Sequence, residues 1–174
     1  MVPKIEKISD FAVESFEEYF KRWPEQLGNI PKDVVQQWAY YHNEEFLENW
    51  APLDPVKWDF TAVEFTNDKI MEIDHLDGKI ERMDSKGDEV FRRREPGYDT
   101  WDFMFEYGTT PCPMIVVRDA DGVVPPGGIN QEVMKTPLQI VEGHRRLTLI
   151  RAFIRHGYRK LQSTHRVWIL NLNM

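Results

Sequence analysis

The sequence predicts an α/β (α+β) protein: a mixed sheet with packed helices, preceded by an N-terminal helical layer. Three observations carry this. In residues 1–55 apolar side chains recur every three or four positions, the spacing of one helix face. From Trp58 the period drops to two, as in a strand with one buried face. Beyond Pro113, short apolar runs at 114–117, 138–141 and 166–172 bracket an amphipathic stretch at 144–156. The expected division is a helical extension over residues 1–55 and a sheet domain over 56–174.

In the extension a helix is expected over 9–23, capped by Ser9 or Asp10 and stopped by Pro24, with Val13, Phe16, Phe20 and Trp23 on its apolar face. A second follows Pro31 and buries Val34, Val35, Trp38 and Tyr41; its continuation over 43–50 ends at Pro52 and Pro55. Trp58, Phe60 and Ala62 alternate with Asp59 and Thr61, which predicts a strand reaching Phe65. Ile70, Met71 and Ile73 suggest a second strand, turned at Asp77 and Gly78 into a third over 79–83, with another turn over 85–88. Arg92, Arg93 and Arg94 fall in a polar loop. Asp99 is read as the cap of a short helix holding Trp101, Met104 and Phe105; Asp102 completes an acidic capping pattern and Gly108 closes the end.

Residues 114–117 form a buried strand. Residues 119–135, with turn clusters at 119–122 and 125–128, read as a long surface loop or loose hairpin arm. A strand over 138–141, a helix over 144–156 that Gly157 terminates, and a strand over 166–172 complete the order.

A chain of 174 residues with six Trp, ten Phe and six Tyr can bury a real core without disulfide staples. Its single cysteine, Cys112, excludes an internal disulfide and a multi-cysteine zinc site, and reads as a small core residue between two prolines. His42, His156 and His165 show no metal-ligand spacing, so no metal site is expected. The N-terminus lacks the apolar core of a signal peptide and no run reaches transmembrane length, so a cytoplasmic protein of a bacterium or phage, without a membrane partner, is expected. The net charge of −7 disfavours nucleic acid as a partner unless a local basic patch overcomes it.

One segment reads as a site. An apolar run ends at Glu142 and Gly143 and restarts as a helix at His144, followed by Arg145 and Arg146. A helix start points unpaired N–H groups and positive potential at the turn, where basic side chains are disfavoured unless an anion joins them. A phosphate suits such a group of donors, and Gly143 lets the backbone approach it.

The succession of the strand over 114–118, the strand over 138–141, the turn from Glu142 to Leu147, the helix with Arg151 and Ala152, and the strand over 167–170 resembles the ParB/sulfiredoxin-like superfamily across residues 58–172. In that superfamily the glycine and basic residues of this turn hold nucleotide phosphates: CTP in ParB-type clamps, ATP in sulfiredoxins, ADP or ATP in related serine kinases. The resemblance implies a phosphate- or nucleotide-binding role for Gly143, His144, Arg145 and Arg146, with ATP or CTP as ligand and Mg²⁺ as companion.

Sulfiredoxins place their catalytic cysteine where Gly143 stands, so sulfiredoxin chemistry is not expected. ParB proteins place Glu at His144 and Arg at Thr148, and continue into a DNA-reading helix-turn-helix that a chain ending at Met174 is expected to lack.

The leading expectation is therefore a nucleotide-binding protein in which phosphoryl transfer or NTP hydrolysis would use Glu142, or Asp74 from the earlier hairpin, as base or Mg²⁺ ligand. Arg92, Arg94 and Arg118 are candidates to line the same cleft. His75 beside Asp74 reads as structural or as half of an acid-base pair. The alternative is a nucleic-acid-binding, nuclease-like or adaptor module of a phage or mobile element with no NTP chemistry.

Overall fold

The computed structural model describes residues 1–9, 12–76, 79–94, 96–120, 122–124 and 132–173. A small antiparallel ribbon, β1 (Lys7–Ser9) and β2 (Ala12–Val13), leads into α1 (Phe16–Lys21). There follow α2 (Lys32–Val34), which widens into a π-helical turn over Val35–Tyr40, and α3 (Asn43–Asn49). The sheet domain runs β3 (Asp59–Thr66), α4 (Asn67–Met71), α5 (Lys79–Arg93), α6 (Asp99–Tyr107), β4 (Met114–Arg118), β5 (Leu138–Glu142), α7 (His144–Arg155) and β6 (Thr164–Asn171).

The four-stranded sheet has the order β3-β6-β4-β5, with β6 and β4 parallel and the outer pairs antiparallel. Strand alternation divides its side chains between two cores. Ile115, Val117, Val141 and Leu170 face one cluster with Phe16, Val34, Val35, Trp38, Phe46 and Trp58 of the N-terminal layer. Met114, Val116, Leu138, Ile140, Val167 and Ile169 face the other, with Leu147, Ile150 and Phe153 of α7. The mixed sheet with packed helices is thus as expected, and the N-terminal layer shares a core with one sheet face.

Four details differ from the sequence expectation. The first helix begins at Phe16, with Ser15 as its cap, because the preceding residues form the ribbon; Val13 and Tyr41, expected inside, are 52% and 65% exposed. In place of the expected strand at 70–73, Ile70 and Met71 end the helix α4, capped by the Thr66 hydroxyl accepting from Lys69 N at 3.3 Å. The expected strand over 79–83, the turn at 85–88, and Arg92 and Arg93 of the expected loop are all inside α5, whose Ile80, Met83, Val90 and Phe91 pack at helical spacing. Gly87 is not a turn residue: a Cβ there would lie 2.2 Å from the Thr148 carbonyl oxygen, so it lets the α5 backbone rest on α7. Lastly, α6 starts at Tyr98 without a side-chain cap, while Asp102 accepts from Gly97 N at 3.0 Å and Gly108 closes the helix at φ 68°.

Asp84 meets Arg151, and Asp88 meets Arg155 and His156, so α5 and α7 run in the same direction. The Asp10 cap, the Asp77–Gly78 turn and the cluster at 125–128 lie outside the described residues. Among the described residues no helix is long and apolar enough to cross a membrane.

Candidate functional site

The turn between β5 and α7 is built around a folded-back arginine. Gly143 has φ 101°, and a Cβ there would sit 2.9 Å from Met114 Cγ and 3.0 Å from Arg146 Nη2. The glycine is needed because the Arg146 guanidinium occupies that space. Arg146 is 6% exposed, and its Nη1 lies 2.9 Å from Gln37 Oε1 and from the carbonyl oxygens of Cys112 and Pro113, and 2.7 Å from Cys112 Sγ. Its Nη2 donates to Glu142 Oε1 at 3.2 Å. The donors expected to hold a phosphate are thus taken by the protein's own acceptors.

His144 is also different from a cation. Its ring lies 4.9 Å from that of His75, and Lys79 stands near both. Burial first, then the neighbouring His75 and Lys79, push His144 down to about 3; burial and Lys79 push His75 down to about 4. Both imidazoles are neutral at pH 7, which removes the repulsion that a charged histidine would meet at a helix start. His75 Nδ1 accepts from Leu76 N at 2.7 Å, and Asp74 Oδ1 accepts from His75 N at 2.6 Å, so Asp74 holds the His75 backbone and not its ring.

Arg145 remains. It is exposed, its Nη1 donates to the Tyr98 hydroxyl at 2.8 Å, and its guanidinium lies 5.2 Å from the Tyr98 ring centre. Together with Lys86, Tyr98, Trp101 and Thr148 it lines a pocket of about 380 Å³ between α5, α6 and α7. The indole Nε1 of Trp101 is buried and has no hydrogen-bond partner. Beside this pocket α7 begins with no side-chain cap and no acidic residue in its first turn.

The N-terminal layer reaches the turn from the other side. His42 Nε2 lies 3.6 Å from Glu142 Oε2, and Gln37, 8% exposed, bonds Arg146 through Oε1 while its Nε2 has no partner. Burial raises the Glu142 carboxyl above the ordinary carboxylate value, against the opposing charges of His42 and Arg146. Burial likewise raises the Cys112 thiol despite Arg146, consistent with a packed, protonated thiol. Sequence reasoning missed Gln37, His42, Lys79, Lys86, Tyr98 and Trp101 as residues of this region. No local pattern marks them, and Gln37 is 109 positions from the arginine it bonds.

Other candidates stand elsewhere. The Asp74 backbone pairs with Gln139, three residues before Glu142 and so about 10 Å back along β5. Arg118 ends β4 opposite Leu138, at the far end of β5 from the turn. Arg92 and Arg94 lie past the far end of the α5–α7 contact, where Arg94 packs over Phe91, Phe105 and Tyr158. The α7 start has no side-chain cap and stands near Arg145 and Lys79, which are the groups a phosphate there would use. A Mg²⁺ ion shared by Glu142 and Asp74 does not fit, since Glu142 faces Arg146 and His42 and Asp74 holds the chain at His75. Among the described residues no three His, Cys, Asp or Glu side chains form a metal-holding group. Compared with known proteins, the chain matches no family model, no curated protein and no solved structure.

Proposed function

We propose that the start of α7 and the adjoining Tyr98–Trp101 pocket bind a nucleotide or another small phosphorylated ligand. The observation that carries this reading is the first turn of α7, with no side-chain cap and no acidic residue of its own, and the exposed Arg145 held beside it by Tyr98. Free N–H groups at a helix start favour an anion, and a guanidinium adds charge-assisted donors. Lys79 contributes further positive potential, while the neutral His75 and His144 contribute none. The pocket volume of about 380 Å³ suits a small ligand. Arg146 has a different part: it fixes the shape of the turn from beneath.

In any hydrolysis of a bound nucleotide the proton acceptor would be Glu142, whose carboxyl burial raises although it is bonded to Arg146. Calorimetry with ATP and CTP tests the binding. Arg145→Ala is expected to weaken affinity roughly tenfold without changing the unfolding temperature, the loss of one charge-assisted hydrogen bond. Unchanged affinity in the folded variant, or a native chain that binds neither nucleotide, overturns the reading. Glu142→Gln, assayed for phosphate release, separates binding from catalysis.

A further inference from the structure

A second cleft, of about 660 Å³, opens at the opposite end of α7, where Arg94, His156, Tyr158, Arg159 and Lys160 meet α6. Arg94 lies 5.6, 5.5 and 5.7 Å from the ring centres of Phe91, Phe105 and Tyr158, so three aromatic side chains hold one guanidinium in place. The platform is itself braced. His156 stacks on Phe91 at 4.7 Å and 3°, and the Tyr158 hydroxyl donates to the Phe105 carbonyl at 2.5 Å. Arg94 adopts φ 48°, a left-handed conformation that a residue with a Cβ takes at a cost.

This arrangement leaves cations without anions. Among the described residues neither Arg94 nor Arg159 has an ion-pair partner, whereas the neighbouring Arg155 and His156 are both tied to Asp88. Among the described residues Lys160 Nζ reaches only the Glu106 carbonyl, at 3.3 Å. Asp102, the acidic side chain in the lining, accepts from Gly97 N. In a chain of net charge −7 the cleft is a local excess of positive charge.

We propose that this cleft is a separate binding site for a phosphorylated nucleoside, free or as the end of a single strand. A planar guanidinium fixed on aromatic rings and exposed to solvent offers one face for a base to stack on. Its N–H groups, without acceptors among the described residues, supply donors for the phosphate together with Arg159 and Lys160. The site is independent of the α7 start, which lies about 18 Å away along a helix of 12 residues.

The test is a titration of the isotope-labelled full chain with AMP and, separately, with a short single-stranded oligonucleotide, following backbone amides by NMR. Saturable movement of the amides of 91–94 and 156–160 is expected, retained in Arg145→Ala and weakened about tenfold in Arg159→Gln. Arg159 is exposed and unpaired among the described residues, so its replacement leaves the fold in place; Arg94→Gln is the second variant. A response to AMP assigns the site to free nucleotides, and a response to the oligonucleotide alone assigns it to strand ends. The proposal is overturned if neither probe moves these amides, if Arg159→Gln and Arg94→Gln respond like the native chain, or if only a phosphoserine peptide binds.

Discussion

The two ends of α7 use basic side chains in opposite ways. At the start, Arg146 is sunk among carbonyl oxygens, Gln37 and Glu142, His144 is neutral, and Arg145 faces outward. At the other end, Arg151 and Arg155 are bound by Asp84 and Asp88, while Arg94 and Arg159 are free of carboxylates among the described residues. Burial works against the Asp84 charge, but Arg151 and Arg155 outweigh it and hold the carboxyl below its ordinary value. Basic residues beside a positive helix end therefore do not by themselves demand an external anion. A protein can meet the same need with its own acceptors or by discharging a histidine.

The contrast breaks most sharply at Arg146. Arg146→Ala leaves Glu142 and the Cys112 and Pro113 carbonyls buried without their donor, and is expected to cost about 3–5 kcal/mol in denaturant unfolding. Arg145→Ala next to it should stay within about 1 kcal/mol. Equal losses for the two would erase the distinction between a structural and a ligand-facing arginine.

The glycines at the two ends sharpen it further. Gly143→Ala meets Met114 and Arg146 at 2.9–3.0 Å and also strains φ, whereas Gly157, at φ 60°, has nothing within 4 Å of a new Cβ. Expected costs are roughly 3 kcal/mol for the first, strain plus overpacking, and about 1 kcal/mol for the second, strain alone. Similar melting temperatures for the two variants would show that the packing over Gly143 is slack.

Acid titration probes the neutral histidines. Their native values, about 4 for His75 and about 3 for His144, lie below the ordinary 6.5, so between pH 6.5 and 4 the unfolded chain binds more protons than the native one. Stability is then full above pH 6.5 and falls with acidification, by about 2 kcal/mol per histidine at pH 5. His75→Asn should flatten that slope. A slope unchanged by the substitution would mean that His75 is protonated in the native state.

The sheet strands and α7 were legible because each is a local pattern: alternation at Trp58, Phe60 and Ala62, and buried runs at 114–117 and 138–141. The region 79–93 was misread because Gly87 mimics a turn when only the sequence neighbours are seen. Its actual reason, the Thr148 carbonyl, is 61 positions away. The turn at Gly143 was found for the same local reason that β5 was. What its arginines do was not, since the partners of Arg146 come from the N-terminal layer and from the segment at 112–113.

Asp74 gives one last consequence. β5 is the last strand in the sheet order, and such edges invite pairing with other chains. Here Asp74 N donates to the Leu138 carbonyl and Ile140 N donates to the Asp74 carbonyl, at 3.0 and 3.1 Å. The Asp74 backbone thus covers the outer edge of β5 at Leu138 and Ile140, two of the groups through which a second strand would otherwise pair.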